Sequence, residues 1–139
     1  MRHYVLLRPL TLGLVVFLAA LPACGEREEP PLPEITGVTV ALGPEPVNTV
    51  ILSWQPSTDA RVQGYAVYRA EQGLGTAVTE KSEFTLQAVS VATSYVDDEV
   101  RSSVRYPQTL YFYQVTAIGP QSVQGPMSTE VSIQFPGIK

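Results

Sequence analysis

The sequence predicts an all-β fold, a seven-stranded antiparallel sandwich of two sheets, and three observations carry that reading. From Glu34 onward, short stretches rich in Val, Ile, Thr, Tyr and Phe place apolar residues at alternate positions, the period of a half-buried strand. Gly and Pro collect in the gaps between these stretches, and proline, which lacks a ladder donor, stays out of them. No segment sustains the spacing of an amphipathic helix.

Taken in order, Val38, Val40 and Leu42 share one face of a first strand, which Gly43-Pro44-Glu45-Pro46 stops. Val50, Leu52 and Trp54 form the second, closed by Pro56-Ser57-Thr58-Asp59. Tyr65 and Val67 mark the third, with a turn at Gly73 to Gly75. Phe84, Leu86 and Ala88 line up as the fourth, and Tyr95 beside a turn marks the fifth. Tyr111, Tyr113, Val115 and Ala117 follow Tyr106-Pro107 as the sixth, and Val131, Ile133 and Phe135 are the seventh. Gly119-Pro120 and Gly125-Pro126 bracket the loop between those last two. Each strand gives one face to a common interior.

The first residues have a different character. Arg2 and Arg8 precede an apolar run from Leu10 to Leu21, and Leu21-Pro22-Ala23 leads into Cys24, the only cysteine. A basic start, a short apolar run and a small residue before the break describe an export signal. The run is well short of the ~20 residues that cross a bilayer as a helix. The arrangement resembles a bacterial lipoprotein signal, with residues 1–23 as the signal peptide and Cys24 as the lipidated residue. An ordinary secretory signal that happens to hold a cysteine is the alternative, and Pro22 is an unusual occupant of its position. Residues 24–33 (Cys-Gly-Glu-Arg-Glu-Glu-Pro-Pro-Leu-Pro) are charged and then proline-rich, with little apolar material, so they read as an extended, disordered tether. Residues 34–138 form the domain. In a cell with two membranes, Gly25 in place of an aspartate after the cysteine resembles outer-membrane sorting.

Composition excludes several kinds of chemistry. Removing the signal takes two of the nine basic residues, so the mature chain sets seven against thirteen acidic ones, which disfavours nucleic acid and acidic lipid as partners. The single histidine, His3, leaves with the signal as well. Without histidine, and with Cys24 blocked, neither a Ser/His/Asp triad, a Cys/His pair nor a usual zinc site is available. Asp97-Asp98-Glu99 is the one dense acidic group, but consecutive residues of an extended chain point to opposite faces, so it reads as a solvated turn. The expectation is a non-enzyme with no cofactor and no metal.

Five pieces in register carry a family resemblance: Leu52-Ser53-Trp54-Gln55-Pro56, Gly64-Tyr65-Ala66-Val67-Tyr68-Arg69, Ser94-Tyr95-Val96-Asp97, Tyr111-Phe112-Tyr113-Gln114-Val115-Thr116-Ala117 and Gly125-Pro126-Met127-Ser128. Together they resemble a fibronectin type III domain over nearly all of the mature chain, which implies an immunoglobulin-like sandwich. Trp54, Tyr65 and Tyr111 are then structural residues, with Trp54 at the centre and Tyr111 where the family places its tyrosine corner. The stretches 70–93 and 98–108 are longer than the family's usual connections.

Tyr68 and Phe112 are the candidate contact residues. Alternation turns both outward, and the family sets their strands side by side, so the two rings would form an exposed apolar patch for a protein or glycan; a cross-strand pair that only stabilises the sheet is the plainer reading. The function expected is that of a membrane-anchored lipoprotein at the bacterial cell envelope, with a non-catalytic binding or spacer module. The alternative is an accessory carbohydrate-binding module that assists a secreted or membrane-bound hydrolase. Expected partners are the membrane, through Cys24, and an envelope protein or glycan.

Overall fold

A computed structural model describes residues 29–44, 49–74, 80–100 and 108–135. Seven strands stand where alternation predicts them: β1 (Thr39–Leu42), β2 (Val50–Ser53), β3 (Gly64–Leu74), β4 (Thr85–Ser90), β5 (Ser94–Asp97), β6 (Gln108–Ile118) and β7 (Val131–Phe135). They form two antiparallel sheets, ordered β1-β2-β5 and β4-β3-β6-β7. The third and sixth strands are the longest, and they pair along their whole length from Gly64↔Ile118 to Leu74↔Gln108. Part of the stretch 70–93 is therefore strand: β3 runs through Gly73 to Leu74, and β4 occupies 85–90.

Inward residues of both sheets fill the space between. Val50, Leu52 and Trp54 meet Tyr65, Val67, Tyr111, Tyr113, Val115 and Ala117, with Phe135, Val100, Ile35 and Leu32 at the margins. Burying a side chain of this size contributes about 1.5–3 kcal/mol each, so the alternating positions are the main source of stability. The face predicted for β1 weakens at its end, because Val38 and Val40 pack on the core whereas Leu42 is 44 % exposed.

Leu32, placed by its sequence context in the extended segment before the domain, belongs to this core at 6 % exposure. The packed chain thus begins ahead of Glu34. Arg61 donates from Nη1 to the Pro30 carbonyl at 2.6 Å and from Nη2 to the Pro31 carbonyl at 3.4 Å. The Leu32 side chain lies against Gly119 and Gly125, where an added Cβ would come within 2.9 and 3.1 Å of it. Glu34 accepts from the Thr129 N–H, and the Thr36 carbonyl accepts from the Gln55 N–H. Glycine at 37, with φ 65°, lets this arm swing into β1. Cys24 and residues 1–23, read above as a signal peptide, lie outside the described residues.

Candidate functional site

The outer face of the four-stranded sheet is where the structure places Tyr68 and Phe112. Along β3, Tyr65, Val67 and Arg69 point inward, so Ala66, Tyr68 and Ala70 point out. Tyr68 pairs with Gln114 and Ala70 with Phe112, which makes Tyr68 and Phe112 diagonal neighbours on one face. Both rings are half-buried, and each has its own contact. The Tyr68 hydroxyl donates to Gln124 Oε1 at 2.8 Å. Phe112 lies under Lys81, whose Nζ is 4.4 Å from its ring centroid and 4.8 Å from that of Phe84. Glu130 pairs with the same ammonium group. Lys81 thereby spans two rings contributed by opposite sides of β3, and Ala70 beneath is only 1 % exposed.

The fully open apolar residues of this face are on the edge strand instead. Leu86 is 52 % and Val89 64 % exposed. Phe84, Leu86 and Ala88 do not share a side as alternation predicts, because a bulge interrupts the β3–β4 ladder between Val67 and Tyr68. Val67 pairs with Ala88 but Tyr68 with Leu86, so Gln87 is the extra residue and the chain reverses side there. Leu86 then joins Val89 on the outer face beside Tyr68. The Gln87 amide folds back onto Thr85, donating to its carbonyl at 3.1 Å and its hydroxyl at 2.8 Å. Among the described residues no strand pairs with the outer edge of β4.

The residues expected to be structural are inside. Trp54, 5 % exposed, meets Tyr65 edge-on at 5.5 Å between centroids, and its Nε1–H has no acceptor among the described residues. The Tyr65 hydroxyl accepts from the Ser57 N–H and so holds the turn after β2. Tyr111, 2 % exposed, lies between a tilted Tyr113 ring at 6.5 Å and an edge-on Phe135 ring at 6.3 Å, with the Arg69 guanidinium 5.6 Å from its centroid.

Asp97 corrects the reading of a solvated acidic turn. Asp98 and Glu99 are exposed, but Asp97 is completely buried. Arg69 Nη1 donates to both of its oxygens, at 2.9 and 2.7 Å, the Tyr113 hydroxyl donates at 2.9 Å and the Glu99 N–H at 3.0 Å. Burial penalises the Arg69 charge, yet the bonds to Asp97 outweigh it and raise the guanidinium pKa. Burial, then the neighbouring carboxylate, pushes the Tyr113 phenol far above its ordinary range, so it stays a proton donor. Asp97 belongs to one sheet, Arg69 and Tyr113 to the other, and the cluster bolts the layers together. Parity was the available signal: Arg69 continues Tyr65 and Val67, and Asp97 continues Tyr95. With every oxygen of the carboxylate engaged, this is an architectural group.

A second concave feature lies where the arm meets the hairpin after β6. It is a groove of about 540 Å³ lined by Pro30, Pro31, Arg61, Pro120, Val123 and neighbouring residues. Gln121 and Ser122 at the hairpin tip have left-handed backbone, φ 57° and 61°, and the Val123 N–H donates to the Pro120 carbonyl, as in a tight primed turn. The Arg61 guanidinium, bonded on one side to the arm, is held on the other by Asp59 at 2.6 and 3.1 Å. Chiefly through that hydrogen bond, Arg61 holds the Asp59 carboxyl down at about 2. Among the described residues no group of three or more His, Cys, Asp or Glu side chains gathers as a metal site.

Comparison with solved structures agrees on the architecture. The chain is similar to the fourth fibronectin type III domain of a human protein, at 18 % identity and a TM-score of 0.58, covering 92 % of each chain. It is similar to the third fibronectin type III domain of human KIAA0343 protein, at 15 % identity and a TM-score of 0.58, over 87 % of this chain and 95 % of that one. A structure described as a myokine matches at 24 % identity and a TM-score of 0.51, over 74 % and 96 %. No protein-family model matches the sequence, and no curated protein matches it closely enough to count as a relative. The fold is that of a fibronectin type III domain.

Proposed function

We propose that this chain is a bacterial envelope lipoprotein, acylated on Cys24, whose single sandwich is a non-catalytic module that binds another envelope protein through the outer face and free edge of its four-stranded sheet. The observation that carries the reading is the edge strand β4, with Leu86 and Val89 exposed beside Phe84, Tyr68 and Phe112. An unpaired edge offers backbone donors and acceptors, and adjacent apolar side chains add affinity and choice of partner.

Carbohydrate recognition, as an accessory to a secreted or membrane-bound hydrolase, requires an open aromatic platform. Here Lys81 lies over Phe84 and Phe112, and the Tyr68 hydroxyl is engaged by Gln124, so a protein partner is the better fit. In a cell with two membranes, the site of attachment is the outer one. The test is photo-crosslinking in intact cells from a probe at Leu86, with a probe at Val96, on the other sheet, as control. One protein captured from Leu86 and not from Val96 supports the reading; saturable binding of the purified domain to envelope polysaccharide, abolished by Phe112→Ala, would replace it with the carbohydrate one. Attachment is tested by Cys24→Ala, which should release the protein from the membrane fraction.

A further inference from the structure

The path of the arm fixes which end of the sandwich faces the membrane. Pro30 and Pro31 are bonded to Arg61, Leu32 is packed under the 119–125 hairpin and Glu34 holds the Thr129 N–H. The chain is therefore pinned to one pole from Pro30 onward. Six residue steps separate Pro30 from Cys24, a reach of at most about 20 Å when fully extended. The long axis is greater than that, since the eleven residues of β6 alone cover about 35 Å.

The same pole carries the connection from β2 to β3, the β4–β5 turn and the hairpin after β6. Their proximity is set by the Trp54 N–H to the Thr93 carbonyl at 3.0 Å and the Gln63 N–H to the Ile118 carbonyl at 2.7 Å. Among the described residues the three most exposed large apolar side chains stand there: Val91 at 85 %, Val89 at 64 % and Val123 at 56 %. Val123 also lines the proline-walled groove beside the arm. Arg61 and Asp59 pair with each other at this pole, and Glu29 is a further acidic group beside Arg61 in the same groove.

We propose that this pole rests on the lipid surface, with Val91 and Val123 in contact with the headgroup region, so that the domain is held at a fixed orientation and not swung on a free tether. The inference rests on acylation of Cys24. Apolar side chains at the interface add to the acyl anchor, which explains open valines on the side where the chain reaches the domain. The far pole, where β1 ends at Leu42 and β6 begins, then points away from the bilayer, and the edge of β4 is presented sideways to a partner in the same membrane.

The test uses the acylated protein in phosphatidylcholine vesicles, with a fluorophore on Val91→Cys, Val123→Cys or Leu42→Cys, Cys24 being taken up by the lipid. Quenchers on the lipid headgroups should act on positions 91 and 123 at least about threefold more strongly than on 42, and aqueous iodide in the reverse order. Arg61→Ala, which frees Pro30 and Pro31 but leaves Leu32 under the hairpin, should lessen that contrast without erasing it or releasing the protein. Equal quenching at 91, 123 and 42 on vesicle-bound protein overturns the orientation and leaves the anchor intact. Absence of acyl mass on the Cys24 peptide overturns the anchor, and this inference with it.

Discussion

Asp97→Ala is the most demanding test of how the two sheets are held. The carboxylate is wholly buried and accepts from Arg69, Tyr113 and the Glu99 N–H, so its removal leaves a guanidinium, on a side chain only 16 % exposed, and a buried phenol without their partner. Breaking one side of a buried ion pair costs about 3–5 kcal/mol. An orphaned buried hydroxyl costs about 1–3 kcal/mol more, not fully additive because one cavity serves both groups. The expected loss is therefore about 4–6 kcal/mol, a large share of the ~5–15 kcal/mol that holds a domain of this size. Asp97→Leu combined with Arg69→Met removes both charges at similar volume but leaves the Tyr113 hydroxyl without its acceptor, and should lie within about 1–3 kcal/mol of the parent. The assay is urea unfolding of the chain from Gly25 onward, followed by the fluorescence of Trp54, the only tryptophan. A loss below about 1 kcal/mol for Asp97→Ala, or a double variant no more stable than the single one, refutes the cross-sheet clamp.

Ser122→Gly relieves a left-handed backbone that costs a non-glycine residue about 1–2 kcal/mol, against about 0.5–1 kcal/mol of added chain entropy. Calorimetry should show a Tm raised by a few degrees, and an unchanged or lower Tm rejects strain at the hairpin tip. Asp59 is depressed from its ordinary 3.8 to about 2 by Arg61, so its contribution is complete above about pH 4 and is lost as the pH falls through 2. The carboxyl carbon of Asp59, followed by NMR, should titrate near pH 2, and a midpoint near 3.8 would show that Arg61 is not engaged. Leu32→Ala should cost about 2–3 kcal/mol, and a chain beginning at Glu34 at least as much. Equal stability of the two lengths would mean that the arm adds nothing to the core.

The layout of the sandwich is legible because each strand writes its own buried face in residues two apart. Val50, Leu52 and Trp54 in β2, and Tyr111 to Ala117 in β6, need no knowledge of their partners to be read as core. Edge strand β4 is the case where alternation misleads, since the bulge at Gln87 inverts the side of every residue beyond it. A bulge depends on how two strands meet, and the β4 sequence on its own carries no mark of it.

Asp97 and Leu32 fail for a related reason, and they show what kind of information a local pattern lacks. An aspartate in an acidic run and a leucine among prolines look like solvent-facing chain, and each would be so in isolation. Asp97 is inside because Arg69, 28 residues earlier, brings the opposite charge to the same height of the sandwich. Leu32 is inside because Gly119 and Gly125 leave the space of two missing side chains beside it. A group far away in sequence offsets the cost of burying the Asp97 charge, and groups far away in sequence leave room for the Leu32 side chain. Arg69 could have signalled the first of these: a charged residue in phase with Tyr65 and Val67 on the inward face of a central strand demands a carboxylate partner, and Asp97, in phase with Tyr95 on the facing sheet, is the acidic side chain that parity directs toward it.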